Sequence, residues 1–165
     1  MPQPETPSVT LREVVAADLP VFFAHQNDQQ ARHMAAFTGG DIPDWQAYQA
    51  LWARLLADST IIMRAIVVGE QVAGMIDRYE EGGTAQIGYW LGREYWGRGL
   101  ATAALRQFLA LVHERPLHAS TASDNLASIS VLQKCGFRIT GHRRGYAEAR
   151  GEEIDEVLLR LDAAH

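Results

Sequence analysis

The chain has 165 residues, 47% of them hydrophobic and 21% charged, which is the composition of one globular domain with its own core. A formal net charge of -5 at pH 7 argues against nucleic-acid binding, and no apolar run approaches the ~20 residues that cross a bilayer. Cys135 is the single cysteine and the six histidines are scattered, so neither a disulfide nor a metal site is expected. We expect one domain over residues 1–165, cytoplasmic, monomeric or homodimeric, without metal, nucleic-acid or membrane partners.

The first third of the chain predicts one strand followed by two helices. Residues 1–8 contain prolines and no secretion signal, and we expect them to form a disordered leader. The alternation of residues 9–15 is typical of a strand, and apolar positions over residues 16–34 predict a helix capped by Asp18. A second helix is predicted over residues 45–59, and its apolar face consists of Trp45, Tyr48, Leu51, Trp52 and Leu55.

Three antiparallel strands are predicted next. Two apolar runs, residues 61–68 and 71–79, are separated by a Gly-Glu pair, which is the signature of a hairpin. The turn "EEGG" then leads into a third strand over residues 84–92.

The second half of the chain alternates between helices and strands. Its predicted elements are a helix from Gly99 to about His113 that ends before Pro116, a strand over residues 117–123, a helix from Asn125 to Cys135 with Gly136 at its C-terminal cap, and strands over residues 137–144 and 152–162. The complete order is βααβββαβαββ, which describes a mixed α/β sheet.

A glycine-rich loop stands directly before the first helix of this second half. The backbone N–H groups at the start of a helix have no partner inside it, and the helix dipole makes this end attractive to anions. Gly97 and Gly99 allow the chain to turn such amides toward one phosphate or pyrophosphate, and Ala101 is small enough not to block the approach. The loop matches neither a Walker motif nor a dinucleotide fingerprint, and a simple helix-capping turn remains the alternative.

Two blocks of sequence carry a family resemblance. The segments "IGYWLGREYWGRGLATAAL", residues 87–105, and "NLASISVLQKCGF", residues 125–137, together resemble the GNAT superfamily of acyl-CoA N-acyltransferases. The resemblance is to the branch of ribosomal-protein N-terminal acetyltransferases. It implies the GNAT fold, an α+β fold in which a twisted, mostly antiparallel sheet of about seven strands is flanked by about four helices.

The resemblance also implies where acetyl-CoA binds. The family's pyrophosphate signature falls on residues 96–101, with Trp96 in a position that the wider superfamily fills with Gln or Arg. Arg98 either contacts a phosphate or is a solvated loop residue. The strand with Gly88 is the one that splays from its neighbour and faces the pantetheine arm. The cofactor-binding residues implied in this way are Tyr89, Trp90, Leu91, Trp96, Gly97, Arg98, Gly99, Leu100, Ala101, Thr102 and Asn125.

The proton donor for the leaving thiolate departs from the commonest family pattern. Many members use a tyrosine at the position of Leu132, which has no proton to give. Ser128 lies one helical turn earlier and shares a face with it, so we predict Ser128 as the catalytic donor. The alternative is that Ser128 only hydrogen-bonds the cofactor or the helix start. Asn125 is the predicted N-cap. Of Tyr89 and Trp90, which alternate onto opposite faces, we expect one to border the acceptor pocket and the other to belong to the core.

The general base is not identified by the motifs. Gln86 stands where many members carry a base glutamate, which leaves a water chain or another acid or imidazole, such as His33, Asp41 or Glu94, as unranked candidates. Cys135 replaces an apolar residue, and we interpret it as a small buried hydrophobe rather than a nucleophile.

These residues predict an acetyl-CoA-dependent N-acetyltransferase that passes an acetyl group to a primary amine by direct attack in a ternary complex. The acceptor is a protein or peptide N-terminus, an amino acid, a polyamine or an amine antibiotic, and the branch resemblance favours an N-terminal amine. The alternative is a coenzyme A-binding sensor that has lost turnover, because both the base and the usual tyrosine are replaced.

Overall fold

A seven-stranded sheet organises residues 8–38 and 43–164, which are the residues that the computed structural model describes. Residues 1–7 of the expected leader and the candidate base Asp41 lie outside these ranges. The strands are β1 (Val9–Arg12), β2 (Ile62–Val68), β3 (Gln71–Glu81), β4 (Thr84–Leu91), β5 (Leu117–Ala122), β6 (Arg138–Ala147) and β7 (Glu152–Leu161). Their order across the sheet is β1-β2-β3-β4-β5-β7-β6, and every neighbouring pair is antiparallel except β4 and β5.

The helices are α1 (Leu19–Gln26), α2 (Gln29–Ala35), α3 (Trp45–Ala57), α4 (Leu100–Leu111) and α5 (Leu126–Lys134). The predicted fold class is confirmed and the strands follow one another along the chain as predicted, but the first predicted helix is divided into α1 and α2. The division occurs because the Asp28 side chain accepts a hydrogen bond from the Gln30 amide at 3.0 Å and so starts a new helix. Asp18 occupies the N-cap position of α1 without capping it, since its carboxylate binds Arg12 at 2.8 Å instead.

Two apolar clusters cover the two faces of the sheet. On one face, α4 and α5 bury Leu105, Phe108 and Leu132 against strand residues such as Ile76. On the other face, α1 and α3 pack on a cluster formed by Leu19, Phe22, Tyr48, Trp52, Met63, Ala65 and Met75. Leu51 of the predicted α3 face is instead 37% exposed, because the helix contacts the sheet along a narrower stripe than its apolar pattern covers.

A tight hairpin fixes the register of β3 against β4. Glu81 pairs with Thr84, which leaves a two-residue turn made of Gly82 and Gly83, both with positive φ. Counting back from this turn places Asp77 opposite Gly88. The predicted hairpin therefore determines which side chains meet in the middle of the sheet.

The parallel strands β4 and β5 separate soon after they meet. They share the single residue pair Gln86 and His118, and residues 87–91 of β4 have no partner in β5. This opening is the splay that the family resemblance implies. It exposes one edge of β4 to the space beneath the first turns of α4 and α5.

Within residues 8–38 and 43–164, no helix is both long enough and apolar enough to cross a membrane.

Candidate functional site

A cleft of about 560 Å³ lies at the opening between β4 and β5, which is a volume typical of small-molecule sites. Its walls come from β4, the first turn of α4, β5 and α5, with one side closed by α2. Eleven of the predicted site residues line it: Tyr89, Trp90, Leu91, Trp96, Gly97, Gly99, Leu100, Ala101, Thr102, Asn125 and Ser128. Arg98 does not line it, because its guanidinium donates to the Glu94 carbonyl at 3.0 Å and lies 5.9 Å from the centre of the Tyr95 ring.

The glycine loop has the backbone conformation that its sequence predicts. Gly97 and Gly99 have φ values of +76° and +73°, and a Cβ atom at either would meet nothing within 4 Å. Gly99 is the N-cap of α4. No acceptor among the described residues takes a hydrogen bond from the backbone amides of residues 97–102. These free amides, at the positive end of the α4 dipole, can bind a phosphate group.

Ser128 is held at the start of α5 by two neighbouring groups. Asn125 is the N-cap, as predicted, and its side-chain oxygen accepts from the Ser128 amide at 3.2 Å. The Asn125 amide nitrogen donates to the carbonyl of Met34, which joins α5 to α2. The Ser128 hydroxyl lies 2.7 Å from the Tyr89 phenol oxygen, and either atom can be the donor. Burial raises the pKa of Tyr89 to about 12, so the phenol stays protonated at neutral pH.

The sequence pattern did not reveal this hydroxyl pair. Tyr89 and Ser128 are 39 residues apart on different elements, and no local motif links them. Only the packing of α5 against the α4 side of the sheet brings the phenol of β4 under the first turn of the helix. Two weak acids are therefore hydrogen-bonded to each other on the cleft wall, where they can pass a proton between them.

Tyr89 and Trp90 point to opposite faces of the sheet, yet both line the cleft. Tyr89 packs against the main core and Trp90 against the cluster between the sheet, α1 and α3, so which of the two borders the acceptor pocket stays a prediction. The Trp90 indole nitrogen is buried and has no hydrogen-bond partner in the described part of the chain.

The described part of the cleft wall contains no aspartate, glutamate or histidine. Two of the candidate bases lie elsewhere: His33 is exposed, and Glu94 is 63% exposed with a carboxylate 3.5 Å from the imidazole of His25. Asp41 falls outside the described residues. The Gln86 amide donates to the Thr84 hydroxyl and does not line the cleft.

One ionisable residue near the cleft was missed by the sequence reasoning. Asp77, opposite Gly88 on β3, has its pKa raised to about 7 by burial, and a hydrogen bond from the Gly88 backbone only partly offsets this effect. The signal that could have found it is the alternation of β3, in which Asp77 occupies an inward position between Met75 and Tyr79.

Cys135 is partly buried and packs against the main core, as its interpretation as a small hydrophobe requires. Its thiol donates to the Thr102 carbonyl at 3.7 Å, and burial raises its pKa. A thiol with a raised pKa is a poor nucleophile at neutral pH.

Among the described residues, no three histidine, cysteine or carboxylate side chains lie close enough together to hold a metal ion.

Residues 8–138 match the family model of the acetyltransferase (GNAT) domain. The uncharacterized N-acetyltransferase p20 of Bacillus licheniformis is 33% identical over 99 residues, 58% of this chain and 54% of that protein. The L-methionine sulfoximine/L-methionine sulfone acetyltransferase of Pseudomonas paraeruginosa is 27% identical over 166 residues, covering 94% and 95% of the two chains. The solved structure of Mycobacterium smegmatis RimJ in complex with CoA-disulfide is 25% identical with a TM-score of 0.78, covering 94% of this chain and 82% of RimJ.

The chain spans about half of p20, and its similarity to that protein is therefore confined to part of the relative's length. The family match is broader, since it reaches from β1 to the start of β6 and includes the whole glycine loop and α5. The chain therefore belongs to the acetyltransferase (GNAT) domain family.

Proposed function

We propose that the protein is an N-acetyltransferase that transfers the acetyl group of acetyl-CoA to a primary amine by direct attack in a ternary complex. The observation that carries the proposal is the joining of two features in one cleft. The free amides of residues 97–102 stand at one end, and the hydroxyl pair of Ser128 and Tyr89 stands on the wall between α5 and β4. The first feature suits a pyrophosphate and the second suits a leaving thiolate.

The geometry of the cleft suggests how acetyl-CoA lies in it. The pyrophosphate binds the amides of the glycine loop and the first turn of α4, where the helix dipole favours negative charge. The pantetheine arm follows residues 89–91 of β4, whose edge toward β5 has no strand partner. Its amide groups can therefore hydrogen-bond the strand as a neighbouring chain would. Asn125 and Thr102 border this path.

Ser128 is the proposed proton donor to the thiolate. Its hydroxyl carries one proton and two lone pairs, so it can donate to sulfur while it accepts from the phenol of Tyr89. The proton that Ser128 gives up is replaced from Tyr89 through the 2.7 Å hydrogen bond, and the phenolate left on Tyr89 is reprotonated through water by the proton that the acylated nitrogen loses. Because burial raises the pKa of Tyr89 to about 12, this pair keeps its protons over the working pH range and is ready for each turnover.

The acceptor is proposed to be a primary amine of a peptide N-terminus or of a small amino-acid derivative. The resemblance of the two sequence blocks to the ribosomal-protein N-terminal acetyltransferases supports the first, and similarity to the methionine sulfoximine and sulfone acetyltransferase supports the second.

The test is a measurement of free thiol released from acetyl-CoA in the presence of different amines. The panel contains a short peptide with a free N-terminus, the same peptide with a blocked N-terminus, L-methionine sulfone and spermidine. We expect acceptor-dependent release with the free peptide or with L-methionine sulfone, and none with the blocked peptide. Tight binding of acetyl-CoA without release across the panel would instead support the coenzyme A sensor.

A further inference from the structure

An ammonium group must lose a proton before it can attack a thioester, because the protonated nitrogen has no free electron pair. At neutral pH an α-amine, with a pKa near ~8, is mostly protonated, and a lysine-like amine, with a pKa near ~10, is almost completely so. The described part of the cleft wall offers no carboxylate or imidazole to take this proton. A side-chain base would therefore have to reach the cleft from behind this wall or from residues 39–42, and a water chain is the alternative.

Asp77 stands directly behind one residue of that wall. Gly88 lines the cleft and pairs with Asp77 across the β3–β4 hairpin. A Cβ atom at Gly88 would lie 2.8 Å from the Asp77 carboxylate oxygen, so this oxygen is the nearest atom to the place where a side chain at position 88 would begin. Gly88 itself places no side chain over the carboxylate, and the next atom at this point is Cε1 of Tyr79, at 3.4 Å.

The residues around this opening belong to the cleft. Tyr79 follows two positions after Asp77 on the same face of β3, and Trp90 follows two positions after Gly88 on β4. Both side chains line the cleft. Asp77 thus lies between two cleft residues along the sheet, and part of its surface remains accessible.

Asp77 also differs from the other buried acids in having no cationic partner among the described residues. Asp18 and Glu156, which are 2% and 5% exposed, each bind an arginine at 2.8 Å and 2.6 Å respectively. Asp77 forms no such ion pair, and the backbone of Gly88 is its hydrogen-bond donor. A buried carboxyl without a counter-ion destabilises the fold. Its position behind the cleft wall therefore favours a chemical role over a stabilising one.

We propose that Asp77 is the general base that takes the proton from the acceptor's ammonium group through the opening at Gly88. This inference rests on the proposed acetyltransferase function. The ammonium N–H bond breaks and Asp77 becomes the neutral acid. The freed nitrogen electron pair then forms the N–C bond to the thioester carbon, and the C–S bond breaks as the oxyanion collapses. Of the two protons that nitrogen loses in all, one ends on the sulfur of coenzyme A and the other leaves Asp77 for water.

The charged and titratable groups near Asp77 are few. Its partners on the neighbouring strands, Met63 and Gly88, are uncharged, and Tyr79 interacts with it electrostatically on its own strand. The α1 helix, which packs on this face, brings His25 against Gly92 at the other end of β4. With its pKa near 7, Asp77 changes charge within the range in which a base must accept and release protons.

The test compares Asp77→Asn with Asp162→Asn, which makes the same chemical change at an exposed carboxylate that pairs with Arg138 outside the cleft wall. Rates of acceptor-dependent thiol release are measured from pH 5.5 to 9.5 with a peptide α-amine and with a lysine-like amine. We expect Asp77→Asn to lower kcat/KM for the acceptor by about 100-fold at pH 7. The loss in kcat/KM should become smaller at higher pH, where the amine deprotonates by itself, and should be greater with the more basic amine. The KM for acetyl-CoA should change less than threefold.

A second variant keeps the Asp77 residue but displaces its carboxylate. Gly88 does not have a positive φ, so Gly88→Ala is compatible with the backbone, and its methyl group would lie 2.8 Å from the Asp77 oxygen, which is too close and turns the carboxylate away from this position. We expect it to lower the same rate at least tenfold, with the same dependence on the acceptor's pKa. Thermal unfolding of each variant shows whether it is folded.

Each outcome decides the proposal. If the wild type releases thiol and Asp77→Asn stays within threefold of Asp162→Asn, Asp77 is not the base and the proposed function stands. An equal loss with both amines and an unchanged pH profile also overturns the proposal, because it indicates a structural role. Loss of the pH-dependent step in Asp41→Asn but not in Asp77→Asn overturns the proposal and assigns the base to Asp41. A wild type that releases no thiol with any amine overturns the proposed function, and this inference with it.

Discussion

The α4–α5 face of the sheet and the α1–α3 face contribute different kinds of groups to the cleft. The first contributes backbone amides of residues 97–102 and the hydroxyls of Ser128 and Tyr89, all of which keep their protons across the neutral range. The second contributes the Trp90 indole and, behind Gly88, the carboxyl of Asp77, which titrates near pH 7. In the proposed function, acetyl-CoA is therefore bound mainly by backbone groups, whereas the charge of the amine acceptor is controlled by single side chains.

The largest effect is expected from Gly99→Val on the α4–α5 face. Gly99 has a φ of +73°, which a β-branched residue adopts only with strain, and the valine side chain would extend over the free amides. We expect the affinity for acetyl-CoA to fall by at least 100-fold, as measured by titration calorimetry.

The control for this variant is Gly151→Val. Gly151 lies in the turn between β6 and β7, has a φ of +69° and is open to solvent in the same way. Both variants should lower the free energy of unfolding by about 1–2 kcal/mol through backbone strain. Equal losses of affinity in the two variants would show that strain, not the anion site, controls cofactor binding.

A smaller effect is expected from Ser128→Ala, because it removes a proton donor but no binding surface of consequence. We expect kcat to fall about 100-fold while the dissociation constant for acetyl-CoA changes less than threefold. The two quantities are obtained from steady-state thiol release and from calorimetry. A parallel loss of both would support the alternative that Ser128 only binds the cofactor or stabilises the helix start.

The sequence predicted the α4–α5 side better than the opposite side, for a physical reason. Gly99, Asn125 and Gly136 act through local backbone geometry, and each occupies the cap that its residue type predicts. The contact between Tyr89 and Ser128 depends on the packing of two elements that are distant in the chain, so a local pattern could not reveal it.

On the α1–α3 side, two details of the sequence determine the structure more than the apolar pattern does. The apolar pattern predicts one helix through Asn27 and Asp28, but Asp28 is a good N-cap and starts α2. The position of Asp77 opposite Gly88 follows from the two-residue turn at Gly82 and Gly83, once its register is counted. What the sequence could not supply is the burial that changes the acidity of Asp77, because this depends on the packing of the complete sheet.

Asp77→Asn should make the folded protein more stable, by an amount that increases with pH. The folded-state pKa of Asp77 is raised to about 7 from 3.8, so the unfolded chain ionises first and the folded state loses stability as pH rises between these values. Asparagine cannot ionise and avoids this loss. We expect its gain in the free energy of unfolding to be larger at pH 8 than at pH 5 by about 2 kcal/mol, as measured by urea denaturation. A gain that is equal at both pH values would mean that Asp77 titrates normally, and the contrast between the two faces would disappear.

The smallest effect is expected from Tyr89→Phe, which removes one hydroxyl and leaves the ring in place. Ser128 keeps its own proton and can take a replacement from water, so we expect kcat to fall about tenfold, less than in Ser128→Ala. Because the pKa of Tyr89 is raised to about 12, the ratio of variant to wild-type kcat should stay constant between pH 6 and pH 9, in contrast to the ratio for Asp77→Asn. Thiol-release rates at saturating substrates across this range measure both ratios. If the Tyr89→Phe ratio changes through pH 7 as well, the two faces share one titrating group, and the division between a pH-independent cofactor side and a titrating acceptor side is wrong.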